Sequence, residues 1–214
     1  IEVDWLSGGR YSPDPEWVFN YRRSMMYQKP YLLLMNTNFR YLSQELVERY
    51  FRRCLHYAVF PSMFSADAST NPYWEDAALY ERDRGLFRKY IPLIAAMSKA
   101  GWEPVTYARV DSSDMLVERY GPSNGTTFIS ICNPDGKPRR DFTLTVETEV
   151  LAIAQSTVRI IEMVEGLPVT GVRTGGELHI SDTLASGDTK VYTLREETAV
   201  QRPNLTVALS KPAL

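Results

Sequence analysis

Histidine and cysteine are scarce in this chain, two of each among 214 residues, and their scarcity removes whole classes of chemistry. Cys54 lies in a helical pattern and Cys132 in a strand-like run far away, so they read as two buried thiols rather than a disulfide. His56 and His179 do not furnish the Cys/His set of a usual zinc site, and no metal or other cofactor is expected. His56, near a helix end, reads as a capping or partly exposed imidazole. A basic excess is also missing. With 24 Lys and Arg against 26 Asp and Glu, and a formal net charge of -2, nothing provides the positive field that holds a phosphate backbone, so nucleic acid is not an expected partner. No apolar run approaches bilayer length and no basic-then-apolar leader opens the sequence, which reads as a soluble chain of unassigned compartment. A nucleophile elbow, a phosphate loop, a zincin motif and a dinucleotide fingerprint are all absent.

What is present begins with the stretch from Lys29 to Asn38, KPYLLLMNTN. Pro30 stops any helix arriving from the N-terminal side, Tyr31 to Met35 is unbroken apolar sequence, and Asn36 to Asn38 is polar and turn-prone. A run this short and apolar on both faces predicts a central parallel strand covered by helices. Before it, Asp14-Pro15-Glu16 marks a helix start, with Asp as N-cap and Pro at the first helical position. That helix should reach about Tyr27, with Trp17, Val18, Tyr21 and Met25 inward and Arg22 and Arg23 outward.

After Ser43, residues Leu46, Val47, Tyr50, Phe51, Cys54, Leu55 and Ala58 recur at the spacing of a buried helical face. Val59 to Ser65 then reads as another inner strand, with Pro61 marking an irregularity. Glu81 to Ala100 predicts one helix or two, kinked or restarted at Pro92 and ended by Gly101. Ile1 to Trp5 alternates like a strand and lacks a polar lead-in, which reads as a chain excised from something longer. Strand and helix thus alternate three times, implying parallel strands with right-handed crossovers.

Beyond Trp102 the period changes to two. Runs at Val105 to Val110, Met115 to Tyr120, Thr126 to Cys132, Asp141 to Val150, Val158 to Val164, Glu177 to Ile180, Lys190 to Arg195 and Leu205 to Leu209 are separated by turn signals such as Asn133-Pro134-Asp135-Gly136 and Gly175-Gly176. Phe142, Leu144 and Val146 alternate with Thr143, Thr145 and Glu147. The fold class is therefore α/β followed by all-β: residues 1–107 as βα units and residues 108–214 as an antiparallel β-sandwich.

Three segments, YWEDAALYERDRGLFRKYIPLIAAMSKAGWEPVTYARV, VERYGP and LHISDTLASGDTKVYTL, together resemble the C-terminal part of bacterial glycoside-hydrolase-like proteins. In these the last units of a TIM-type (β/α)8 barrel run into a small sandwich. The resemblance implies a carbohydrate as partner and an active site at the C-terminal ends of the parallel strands. It places Glu2, Asp4 and Asp67 as candidate catalytic carboxylates, since glycoside hydrolysis commonly uses two. Asn36 and Asn38 are candidates for hydrogen bonds to sugar hydroxyls, and Trp5, Tyr73 and Trp74 for stacking on a sugar face. Each has a plainer reading: Glu2 and Asp4 facing solvent at a frayed end, the aromatics packing at a rim. About three βα units stand where eight are expected, so the missing N-terminal part of the same barrel is the natural partner. The rival class is a non-catalytic carbohydrate-associated or structural module, its sandwich buttressing a barrel.

Overall fold

The computed structural model describes residues 6–7, 10–11, 16–27, 29–30, 32–64, 72–153 and 158–196. The hairpin β1 (Leu6–Ser7) and β2 (Arg10–Tyr11) precedes α1 (Glu16–Met25) and β3 (Leu32–Asn36). A single 3-10 turn, Phe39–Tyr41, leads to α2 (Gln44–Tyr57), β4 (Phe60–Phe64), α3 (Pro72–Glu75) and α4 (Ala77–Ala100). Strands β3 and β4 pair in parallel, Leu32 opposite Phe60 through Asn36 opposite Phe64. Among the described residues this is the parallel pairing, and no closed barrel is formed.

Helix α2 follows its sequence pattern. Ser43 caps it, its side chain accepting from Leu46 N–H, and Val47, Tyr50, Phe51, Cys54 and Leu55 are buried at i, i+3, i+4, i+7, i+8 spacing. Ala58 ends it in the left-handed region, at φ 50°, a position where glycine is usual. Tyr50 fastens the helix to both parallel strands: its hydroxyl donates to Leu33 O and accepts from Ser62 N–H at 2.7 Å. Both cysteines are buried, and neither forms a disulfide.

Of the two readings of its sequence, α4 takes the single helix, continuing through Pro92, because buried Tyr90, Ile94 and Met97 hold the turns on either side and such packing exceeds the cost of about 3 kcal/mol of an interior proline. Another helix departs from expectation. Helix α1 is rotated relative to the predicted face. Phe19 and Arg23 are inside, while Trp17, Tyr21 and Met25 are exposed. Phe19 stacks on Tyr57 at 4.5 Å, and the Arg23 guanidinium lies 4.1 Å from the Trp102 ring and 2.6 Å from a Glu118 carboxylate oxygen. A cation so paired and stacked is stable in the interior.

The remaining chain is antiparallel. It comprises β5 (Trp102–Glu103), β6 (Ala108–Val110), β7 (Leu116–Ser123), β8 (Thr126–Cys132), β9 (Arg140–Glu147), β10 (Val158–Glu162), β11 (Leu167–Val169), β12 (Val172–Thr174), β13 (Glu177–Leu184) and β14 (Thr189–Glu196). One sheet has six strands in the order β11-β10-β14-β8-β7-β5, the other four in the order β12-β13-β9-β6. Asn124 and Gly125, both at positive φ, turn the β7–β8 hairpin in the manner two-residue hairpin loops favour. Between the sheets lie Ile129, Ile131, Leu144, Val146, Ile180, Tyr192 and Leu194. The expected inward alternation of Phe142, Leu144 and Val146 holds.

The six-stranded sheet is buried on its other side too. Tyr120, Phe128 and Val191 share one core with α1, α2 and α4, so helices, first sheet and second sheet form three successive layers. The run Thr126 to Cys132 is almost wholly buried for this reason, Thr127 and Ser130 included. The predicted strand Leu205 to Leu209 lies outside the described residues, as does Ile1 to Trp5.

Candidate functional site

The C-terminal ends of β3 and β4 are the place a parallel sheet offers for a ligand. Asn38, exposed just past β3, caps the 3-10 turn, its side-chain oxygen accepting from Arg40 N–H at 3.1 Å. The Arg40 guanidinium reaches Asp76 at 3.2 Å, and Asp76 in turn caps α4 by accepting from Ala78 N–H at 3.0 Å. Turn, α3 and the start of α4 are thereby joined at one end of the strand pair. Phe39, buried after β3, packs at 4.8 Å on Tyr73 of α3.

Tyr73 itself is fully buried. Its hydroxyl donates to Asp83 at 3.2 Å, and Asp83, also fully buried, is gripped by Nε and Nη2 of Arg82 at 2.8 Å, while Arg82 Nη1 donates to Leu42 O at 2.9 Å. Burial, and after it the Asp83 charge, pushes the Tyr73 phenol well up from its ordinary range. Tyr73 therefore packs and anchors; the sugar-stacking role is corrected, because no ring face is open to a ligand.

Trp74 differs. It is 50% exposed and stands edge-on against Tyr73 at 5.0 Å, with Phe87 at 5.5 Å. Together with Tyr80, Arg84 and Phe87 it lines a shallow, largely apolar depression. Arg84 is held along this rim by Glu81. An aromatic floor beside a fixed cation is suited to a flat apolar face carrying polar edges.

Of the residues singled out in the sequence, Glu2, Asp4, Trp5 and Asp67 lie outside the described residues. Asn36 ends β3, opposite Phe64. Asn38 and Trp74 are brought to the same end of the strand pair through Phe39 and Tyr73, and Asn38 is already occupied in part as a cap. Among the described residues no group of three His, Cys, Asp or Glu is arranged to hold a metal ion, and no helix is long and apolar enough to cross a membrane.

The other polar concentration is the seam between helices and six-stranded sheet, which local sequence windows do not reveal. His56 is fully buried, not partly exposed, and its Nδ1 lies 2.9 Å from Ser130 Oγ. Burial first, then the Arg23 and Arg53 charges, hold its pKa well below the ordinary imidazole value. Tyr120 donates to His56 O at 2.6 Å, Trp102 Nε1 donates to Glu118 at 2.8 Å, and Arg52 pairs with Asp188. On the same side Tyr90 donates to Glu48 at 2.7 Å and Lys89 to Glu165 at 3.1 Å.

No protein-family model matches the sequence, and no curated protein sequence matches it. Solved structures do resemble its fold. An α-amylase from Geobacillus thermoleovorans, solved with acarbose, aligns at TM-score 0.50 and 14% identity over 86% of this chain and 43% of its own. An Anoxybacillus α-amylase aligns at TM-score 0.49 and 14% identity over 87% and 43%, and α-galactosidase I from Mortierella vinacea at 0.43 and 11% over 76% and 39%. The chain thus spans less than half the length of these enzymes, and part of it shares its fold with part of the Geobacillus α-amylase.

Proposed function

We propose that the chain is the C-terminal portion of a glycoside hydrolase, residues 1–107 contributing the last βα units of a (β/α)8 barrel and residues 108–214 a sandwich that supports them. The observation that carries this reading is the fold likeness to the Geobacillus α-amylase over 86% of the chain. The step from fold to activity is one of analogy.

In this reading two carboxyl groups among Glu2, Asp4 and Asp67 divide the work. One, protonated, gives its proton to the departing glycosidic oxygen as the bond to the anomeric carbon breaks. The other, ionised, either takes a proton from the attacking water or attacks the anomeric carbon itself before water completes hydrolysis. Asn36 and Asn38 hold sugar hydroxyls, and Trp74, with Trp5, gives apolar surface to the sugar face. The test is incubation of the longest product of this gene with a panel of aryl glycosides and polysaccharides. Release of reducing sugar supports the reading, and its absence across the panel defeats it.

A second reading is supported by the seam. A non-catalytic module needs a rigid buttress, and the pairs His56–Ser130, Tyr120–His56 and Arg23–Glu118 tie helices to the sheet while Arg52–Asp188 ties α2 to the turn before β14. Isothermal titration of the same polypeptide with oligosaccharides that it does not cleave separates the readings: binding without turnover favours the module.

A further inference from the structure

Helix α1 carries two apolar faces, and the seam uses one. Phe19 and Arg23 face inward onto Tyr57, Trp102 and Glu118. At 100° per residue, Trp17, Tyr21 and Met25 fall on the opposite side, one above the other at i, i+4, i+8. They are 69%, 62% and 67% exposed. Scattered exposed apolar residues are ordinary, but three large ones aligned over about two helical turns form a stripe of the kind a facing helix fills.

The parallel pair says what that facing element is. Strand β1 approaches β3, on which β4 pairs in parallel. A parallel sheet is stable when extended by further strands and covered by their crossover helices, and successive right-handed crossovers set neighbouring helices side by side. Helix α1, leading into β3, has α2 against its inner face through Phe19 with Tyr57 and Arg53, while the outer stripe of Trp17, Tyr21 and Met25 stays exposed. We propose that the stripe Trp17, Tyr21 and Met25 is the seam on which a further βα unit of the same polypeptide packs its helix, an inference that rests on reading the chain as part of a larger parallel array.

Hydroxyl-radical footprinting of the 214-residue chain and of the longer product of the same gene, both at low micromolar concentration, tests it. All three side chains should be labelled strongly in the shorter chain and lose most of that labelling in the longer one. The triple variant W17E/Y21K/M25E should lower the melting temperature of the longer protein and leave that of the shorter chain unchanged. Equal labelling in both overturns the proposal, as does a gene that encodes no further βα unit. Protection in the shorter chain also overturns it: if it grows with concentration a second copy is the occupant, and if it does not the chain covers the stripe itself. Footprinting needs no turnover, so a protected stripe in an inactive protein sustains the seam while removing the hydrolase reading, and an unprotected stripe in an active enzyme does the reverse.

Discussion

The Nδ1 of His56 lies 2.9 Å from Ser130 Oγ, joining α2 to the middle of strand β8 with both side chains wholly out of solvent. An imidazole there, beside Arg23 and Arg53, is neutral in the folded protein.

Its depressed pKa gives a pH dependence of definite sign. Above about 6.5, the unfolded imidazole value, neither state is protonated and the stability is fully present. As pH falls below that value the unfolded chain takes up a proton that the folded chain refuses, so stability is lost toward the lower folded pKa. Melting temperatures measured from pH 8 to pH 5 should therefore drop more for the wild type than for His56→Gln. Parallel curves would contradict this placement of the ring.

Tyr120→Phe should destabilise the protein by about 1–2 kcal/mol, because it leaves the buried His56 carbonyl without its hydroxyl donor. Glu118→Gln should cost more, about 3 kcal/mol, since Arg23 is 3% exposed and its 2.6 Å carboxylate partner is removed. Urea unfolding with unchanged slope reads both, and a reversed order would contradict the Arg23–Glu118 pairing.

Tyr73 and Trp74 are neighbours with opposite expectations. Tyr73→Phe removes the hydroxyl from buried Asp83 and should cost about 1–3 kcal/mol of stability. Trp74→Ala should change stability little and should weaken oligosaccharide affinity by about 1 kcal/mol or more. Unfolding and titration of both variants check this, and unaltered affinity in Trp74→Ala would remove the platform.

The segment 108–214 expressed alone should keep a β-type circular dichroism spectrum yet bind a hydrophobic dye. Tyr120, Phe128 and Val191 are buried against the helices rather than within the sandwich, so separation uncovers them. A compact fragment without dye binding would mean that the sheet closes over its own outer face.

These relationships mark where sequence was legible. The stripe of α2 and the apolar alternation Phe142, Leu144 and Val146 of β9 each turn their large apolar side chains to one side, and one side has one period. Helix α1 misled because Phe19 buries in one direction and Trp17, Tyr21 and Met25 point in another, so apolar spacing alone could not choose. Arg23 is inside because Glu118, 95 residues away, and the Trp102 ring come to it. The three-residue strands β11 and β12 carry Pro168 and lie beside Gly171, residues that read as turns. At the site, the polarity of Asn38 was visible, but its use as a cap depends on the tight turn that follows, and Tyr73 and Trp74 look alike until burial distinguishes them.

The proposed carboxylate-driven hydrolysis of a glycosidic bond is tested by the turnover of the longest gene product with Glu2→Gln, Asp4→Asn and Asp67→Asn made singly. Wild-type protein should release sugar from at least one glycoside, and at least two of the three variants should lose about a hundredfold or more in rate with their melting temperatures preserved. Wild-type rates in all three variants would contradict it.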